Sequence, residues 1–389
     1  MPWAYPGPAP SIRRGYVRST ESSSPLGYSL PGRGNLSRSF AAAVSAPLWR
    51  RRAASSKGTV ALSFVVRDRV VLHTMVSNHS SSSGPPPLKV VCFGACHLDR
   101  KAQAARPFVT AASNPVAIES CFGGVARNVA ENLGRLGVQA VLVSRIGEDA
   151  EGLAVLESLD NLPIDHGHLS RSATSPTAFH LIALEPEGEM LVAVADMRIY
   201  DEIEPIVLQQ LPDDLWSAEA IFADCNLPPE SLAYIAAKAG EGCPLAVNGV
   251  SPAKVLRCKA VLSETAFLFV NLQEAMTLVG ESGGDATPEA AAAALRALGV
   301  DEVVITLGAE GLLVAGAQTC QRLESLPGPL RDVTGAGDAL AAAYLEARLR
   351  DLAPEAAAAR ALAAARLTVD CAESVCPDLS LEKLERMTA

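Results

Sequence analysis

Near its carboxyl end the chain carries Asp332-Val-Thr-Gly-Ala-Gly-Asp338, followed by a stretch with helical character, Ala339 to Leu349. Gly335, Ala336 and Gly337 permit a tight turn that exposes consecutive backbone N–H groups where the helix begins. Unpaired donors and the helix dipole both favour an anion there. Such a turn is a preformed cradle for a phosphoryl group in flight. Asp338, at the same mouth, is placed to accept a proton from a hydroxyl attacking that phosphorus. Read alone, the segment also describes an ordinary glycine-containing helix cap with a first-turn aspartate. The chemistry therefore needs partners elsewhere in the chain.

Those partners must be brought to the cradle by regular elements. From Leu88 onward, short β-branched runs alternate with Ala-rich amphipathic stretches: Lys89 to Phe93, Ala140 to Ile146, Ala220 to Asp224, Leu245 to Asn248, Phe267 to Asn271 and Glu302 to Thr306, each followed by a helical pattern. That rhythm predicts an α/β fold with a mostly parallel sheet covered by helices on both faces. In such sheets the chemistry sits at the carboxyl ends of the strands. Two segments break the rhythm. Thr177 to Val194 reads as two strands around Glu185-Pro-Glu-Gly188, and residues about 104–122 look extended, with Pro107 and Pro115 opposing helix. Together they predict either a small antiparallel flap over the active-site edge or a plain surface hairpin.

Of the chain's 389 residues, 49% are apolar and 20% charged, a composition that excludes collagen-like, disulfide-framework and wholly disordered classes. The net charge of −10 is uneven. Residues 1–87 hold 11 Lys and Arg against 2 Asp and Glu, a net +9, which leaves −19 for the remainder. So acidic a body repels nucleic acid and anionic lipid, and neither is expected as a partner. The nine cysteines form no Cys-x-x-Cys pair, and no His cluster has zinc spacing, so reduced intracellular thiols are expected. The leading segment, with Arg13, Arg14, Arg18, Arg33, Arg38 and Arg50 to Arg52 and the single acid Glu21 before Asp68, has the composition of an organellar transit peptide for a mitochondrion or plastid. A disordered leader is the alternative, and Met75 offers a second start for a cytosolic form. Ser80 to Ser83 and Gly84-Pro85-Pro86-Pro87 read as a linker, dividing a leader (1–87) from a catalytic body (88–389). No stretch reads as a transmembrane segment.

The cradle segment resembles the carboxyl-terminal signature of the ribokinase-like, or PfkB-type, carbohydrate and nucleoside kinase family, and Gly123-Gly124-Val-Ala-Arg-Asn128 resembles its amino-terminal one. The resemblance covers residues 88 to 380. It implies a three-layer α/β/α ribokinase-like fold with a small β lid over the sugar, formed by segments at about 104–122 and 174–200. It further implies that Gly123 and Gly124 let backbone approach a sugar, that Asn128 and Asp99 bind its hydroxyls, and that Asn271-Leu-Gln-Glu274 organises magnesium. Thr306, Gly308, Gly311 and Thr334 then belong to the nucleotide site. Asn114, Thr177 and Lys254 are further candidates for base or phosphate contacts, and Asp332 for a monovalent cation such as K+. A homodimer through the lid is also an expectation from relatives.

Within the family, Ser113-Asn-Pro115, Gly123 to Asn132, Ala195-Asp-Met197, Val250-Ser-Pro-Ala-Lys254 and Thr368 to Pro377 are most similar to the branch acting on pseudouridine, a nucleoside with carbon-linked uracil. ATP-dependent phosphorylation of its 5′-hydroxyl is the implied activity. Ala126, where glycine is common, and Asn248-Gly249, in place of an Asp-Thr pair, depart from the pattern at the sugar-facing edge. Another sugar or nucleoside kinase of the family, and a non-catalytic kinase-like scaffold, are the alternatives. A dinucleotide oxidoreductase is disfavoured because no Gly-x-Gly-x-x-Gly follows the first strand.

Overall fold

A computed structural model describes residues 88–240, 242–280 and 287–388. The basic leader and its predicted targeting role lie outside the described residues. The chain starts with β1 (Lys89–Phe93), passes through β2 (His97–Ala104) and β3 (Val116–Gly123), and returns by helix α1 (Val125–Arg135) to β4 (Gln139–Gly147). Helix α2 (Ala150–Leu159), β5 (Ile164–Ser172), β6 (Phe179–Leu184) and β7 (Met190–Asp196) follow. Next come β8 (Ala220–Asp224), α3 (Pro229–Ala239), β9 (Leu245–Asn248), β10 (Thr265–Asn271), α4 (Leu272–Val279) and α5 (Pro288–Ala297). The chain ends with β11 (Glu302–Thr306), β12 (Leu312–Ala315), β13 (Cys320–Leu323), α6 (Ala336–Leu349), α7 (Pro354–Val369) and α8 (Leu381–Thr388).

Nine strands form one sheet in the order β13-β12-β11-β10-β9-β8-β1-β4-β5. It is parallel from β11 to β5, and β12 and β13 are added antiparallel at one edge. Strand β11 is therefore followed by a turn and a hairpin where a helix was predicted. The reason for two-sided burial is visible along β1. Val91 and Phe93 pack into a core with Leu232 and Ile235 of α3 and Leu278 of α4, whereas Val90 and Cys92 pack into the opposite core with Val129 and Leu133 of α1 and Tyr344 of α6. Continuous apolar strands with helices on each face give a three-layer α/β/α body. None of the nine cysteines is disulfide-bonded.

The second sheet has the order β3-β2-β6-β7. It differs from the predicted flap in two ways. Its central pair β2–β6 is parallel, so the sheet is mixed. It also includes His97–Ala104, so Asp99 stands on the flap itself and not simply beyond the first strand. A bond pair anchors this sheet at its base: Tyr200 Oη accepts from the Cys96 amide (2.9 Å) and donates to the Cys96 carbonyl (2.7 Å).

Candidate active site

The segment Gly335–Asp338 forms the amino-terminal turn of α6. Gly335 caps the helix with φ 80°, in the left-handed region, and no side chain caps the turn. A Cβ on Gly335 would lie 1.8 Å from the Ser374 carbonyl oxygen, so only glycine fits between the turn and that strap. At Gly337 the same atom would meet nothing within 4 Å. The Ala336 amide is taken by the Val333 carbonyl (3.3 Å), while the Gly337 side of the turn borders open space in which an anion could be received. That space is a cleft of about 480 Å³ that also contacts Thr306, Gly308 and Gly311. Its walls are apolar, with Leu326, Leu330, Val333, Leu362 and Val369 prominent, and suit a flat heteroaromatic ring.

At the mouth of the turn, Asp338 Oδ2 accepts a 2.9 Å hydrogen bond from Asn128 Nδ2, across 210 residues of sequence. The Asn128 carbonyl oxygen accepts from Arg127 Nη1 at 2.9 Å. Both ends of the Asn128 amide therefore meet protein beside the carboxylate, with one N–H of Nδ2 and one lone pair of Oδ1 still unused among the described residues. Asn128 is aimed there by the start of α1. Gly124, the residue capping that helix, has φ 104°, and a Cβ on it would lie 2.4 Å from the Ala95 carbonyl oxygen. Gly123 makes room for Asp99, whose Oδ2 would lie 1.9 Å from an added Cβ. The two glycines thus pack the end of β3 against both the lid carboxylate and the loop after β1.

Burial pushes the Asp338 carboxyl up to about 7, with Asp224 and Asp99 adding to the rise and the Asn128 hydrogen bond opposing it. A base near neutrality is suited to taking a proton and releasing it again. Asp99 behaves oppositely. Burial acts to raise it, but the imidazoles of His180 and His97 facing it outweigh that and hold it at about 2. The imidazole Nδ1 atoms lie 3.2 Å (His97) and 3.5 Å (His180) from Asp99 Oδ1. Neither approach is aligned as a hydrogen bond, so Asp99 Oδ1 and His97 Nδ1 remain buried polar atoms without a bonded partner. Unsatisfied buried atoms facing a site are ready for ligand hydroxyls.

The remaining predicted residues divide. Asn271 and Glu274 form a capping box on α4: Asn271 Oδ1 accepts the Glu274 amide at 2.8 Å, while Glu274 accepts the Asn271 amide at 3.0 Å and its side chain at 2.8 Å. Burial raises the Glu274 carboxyl, against the bonds from Asn271. Gly249 is needed there, since a Cβ would lie 2.8 Å from Glu274 Oε2. Asn271 and Thr306 are neighbours in register at the ends of β10 and β11, which places this box beside the cleft. Among the described residues no three His, Cys, Asp or Glu side chains cluster tightly enough to hold a metal alone. Magnesium arriving on a nucleotide needs only one or two protein carboxylates, and Glu274 fits that limited role.

Asp332 does not fit a monovalent cation in the same way. Its carboxylate pairs with the ammonium of Lys101 from the lid and accepts the Thr334 amide (2.8 Å) and hydroxyl (2.6 Å). Asp332 and Thr334 therefore brace the turn and tie it to β2, with a lysine supplying the counter-charge. The Thr177 hydroxyl accepts from the Gly147 amide (2.8 Å) and donates to Asp149 (2.5 Å). Asn114 is spent within the lid loop, on Val109 and Ala112. Lys254 donates to Asn226 at the end of β8, and burial lowers its proton affinity.

The sequence reading missed Asp224. It is fully buried at the carboxyl end of β8, where its Oδ2 accepts the amides of Ala95 (2.8 Å) and Ala126 (3.1 Å) and its Oδ1 that of Asn226 (2.8 Å). It fastens the loop after β1 to the start of α1, and Ala126, where glycine is common in the pattern, still supplies one of those amides. A carboxylate at the end of a predicted parallel strand was the available signal. His97, His180, Arg127 and Lys101 carried none, because their roles come from cross-strand and interhelix neighbours.

Comparison with known proteins agrees with this geometry. The chain is 31% identical over 301 residues to the pseudouridine kinase of Escherichia coli (strain K12), covering 75% of this chain and 94% of that one. It is 24% identical over 249 residues to the ribokinase of Haemophilus influenzae, covering 64% and 81% of the two chains. Among solved structures it is similar to a carbohydrate kinase from Agrobacterium tumefaciens, with TM-score 0.69 and 29% identity over 77% of this chain and 97% of that one. The fold is also shared with Arabidopsis thaliana ribokinase complexed with ribose and ATP, at TM-score 0.68 and 21% identity over 78% and 98%. A family profile described as pfkB family carbohydrate kinase matches residues 87–378, and the chain belongs to that family of ATP-using phosphotransferases acting on alcohol groups.

Proposed function

We propose that this kinase transfers the γ-phosphoryl group of ATP to the 5′-hydroxyl of pseudouridine. The observation that carries the chemistry is the buried Asp338 carboxylate, held by Asn128 at an uncapped helix start. The choice of acceptor is supported by the 31% identity with the bacterial pseudouridine kinase across 94% of its length. In this reading the adenine occupies the apolar cleft and the terminal phosphates lie on the turn at Gly335–Gly337. Asp99 takes ribose hydroxyls on its unpartnered oxygen. Asp338 accepts the proton of the 5′-hydroxyl as its oxygen attacks phosphorus, and the first-turn amides stabilise the equatorial charge. Magnesium, when bound, would supply charge neutralisation at the phosphates, and Glu274 is the side chain that would hold it, directly or through water. The Lys101–Asp332 pair keeps the lid over the site, excluding water that would otherwise consume ATP.

The same lid supports association with a second copy of the chain. Met190, Leu191, Val192 and Val194 of β7 and Ile118 of β3 are each about half exposed or more. Apolar strand edges of this kind favour pairing. No described helix is long and apolar enough to cross a membrane. The acceptor is tested by incubating the full chain with ATP, magnesium and a panel of pseudouridine, uridine, adenosine and ribose, then weighing the products. Preferential formation of a pseudouridine monophosphate is expected. Preference for ribose or adenosine would replace this acceptor with another one of the family.

A further inference from the structure

We propose that Arg127 is a positioning residue for the proton acceptor: its guanidinium fixes which end of the Asn128 amide faces Asp338, and thereby which carboxylate oxygen is left for the acceptor alcohol. The inference deepens the functional reading above and rests on it for the identity of the base. A carboxamide has a donor end and an acceptor end, whereas a guanidinium has donors only. Beside Arg127 Nη1, at 2.9 Å, Asn128 must therefore present its carbonyl oxygen. Its NH2 group is then turned to Asp338 Oδ2, at 2.9 Å. With the amide reversed, two acceptors would confront each other at the carboxylate and two donors at the guanidinium.

Arg127 is itself held in place. Its Nη2 lies 2.7 Å from Glu131 Oε2, one turn further along α1, and the other oxygen of Glu131 pairs with Arg135 at 2.6 Å. Arg127, Asn128, Glu131 and Asp338 are all buried, so water is a poor substitute for any link of this chain. Among the described residues no hydrogen bond reaches Asp338 Oδ1, which is the oxygen left to take the alcohol's proton. The charges acting on Asp338 come from three elements. Asp99 on β2 and Asp224 on β8 favour its protonated form, and Arg127 on α1 favours the carboxylate. Removing the guanidinium therefore acts twice in one direction. It withdraws a cation and frees the amide to turn away, and both let Asp338 keep its proton to higher pH.

The test compares the full-length wild type with Arg127→Met, Arg127→Gln and Arg127→Lys. Arg127→Met keeps an unbranched stem and leaves Glu131 its Arg135 partner. Arg127→Gln, whose amide both donates and accepts, no longer dictates the Asn128 orientation, and it serves if the methionine variant folds poorly. The acid limb of the kcat–pH profile should move to higher pH in both, with about a tenfold loss of kcat below the limb for each unit moved. KM for the nucleoside should change little, and Arg127→Lys should restore part of the shift. A carbon-13 NMR titration of the Asp338 carboxyl, assigned with Asp338→Asn, should move in parallel. Lower kcat with an unmoved profile and an unmoved carboxyl titration would overturn the proposal and leave Arg127 a packing residue. A wild type that phosphorylates no acceptor would instead refute the functional reading, while the carboxyl titration would still decide the role of Arg127.

Discussion

At the scale of single residues, the site is built from two carboxylates driven in opposite directions. Asp99 stays ionised because two imidazoles face it, and Asp338 is pushed to about 7 chiefly by burial. That second shift has a consequence for stability. An unfolded aspartate titrates near 3.8, so above pH 7 folding carries an ionised Asp338 at a cost of as much as about 4 kcal/mol, taking about 1.4 kcal/mol per unit. Between pH 7 and 3.8 the folded state holds a proton that the unfolded state has lost, and the cost shrinks as pH falls. Asp338→Asn should therefore raise the melting temperature at pH 8 and lose that advantage near pH 4. Equal melting temperatures of the two proteins across this range would contradict the burial argument. Asp338 was legible in the sequence from its position after two glycines. The Arg127–Asn128 bond that steers it was not, because adjacent residues on a helix do not ordinarily face each other.

At the scale of elements, the strands that carry β-branched runs were the ones the sequence announced. Strands β1, β8, β9 and β10 are buried on both faces and read as apolar throughout. Strand β5, with Ile164-Asp-His-Gly-His-Leu-Ser-Arg-Ser172, lies at a sheet edge with much of its surface in solvent. Strand β2, with His97-Leu-Asp-Arg-Lys-Ala-Gln-Ala104, presents polar residues to the site. Neither pattern signals strand, since edges and site-facing surfaces are released from the need for apolar side chains. The cradle turn makes a prediction at this scale. Gly335→Ala forces a left-handed conformation on an L residue and drives its Cβ toward Ser374, so it should lower the melting temperature and cut turnover at least tenfold. Gly337→Ala meets no protein atom, so it should leave stability nearly unchanged while raising KM for ATP by filling the phosphate space. Thermal melts and steady-state kinetics on the pair check this. Equal loss of stability in both would show that the open side of the turn is misplaced.

At the scale of the whole molecule, two sheets have separate duties. The nine-stranded sheet brings residues about 200 positions apart to one edge, and the four-stranded sheet carries Asp99 over that edge and closes through Lys101 and Asp332. The lid's extent was only partly legible, because its first strand follows directly on the loop after β1 and lacks a break of its own. Its exposed apolar strands predict a dimer at micromolar concentrations by sedimentation, and Val192→Asp should yield monomers. A wild type that stays monomeric at high concentration would exclude that interface. Catalysis turns on a buried acid at the helix mouth relieving an alcohol of its proton. Single-turnover transfer from ATP to the preferred nucleoside, measured in wild type and Asp338→Asn, tests this most directly. The rate should fall by about 10²- to 10⁴-fold with both ligands still bound, and a near-normal rate in the variant would contradict it.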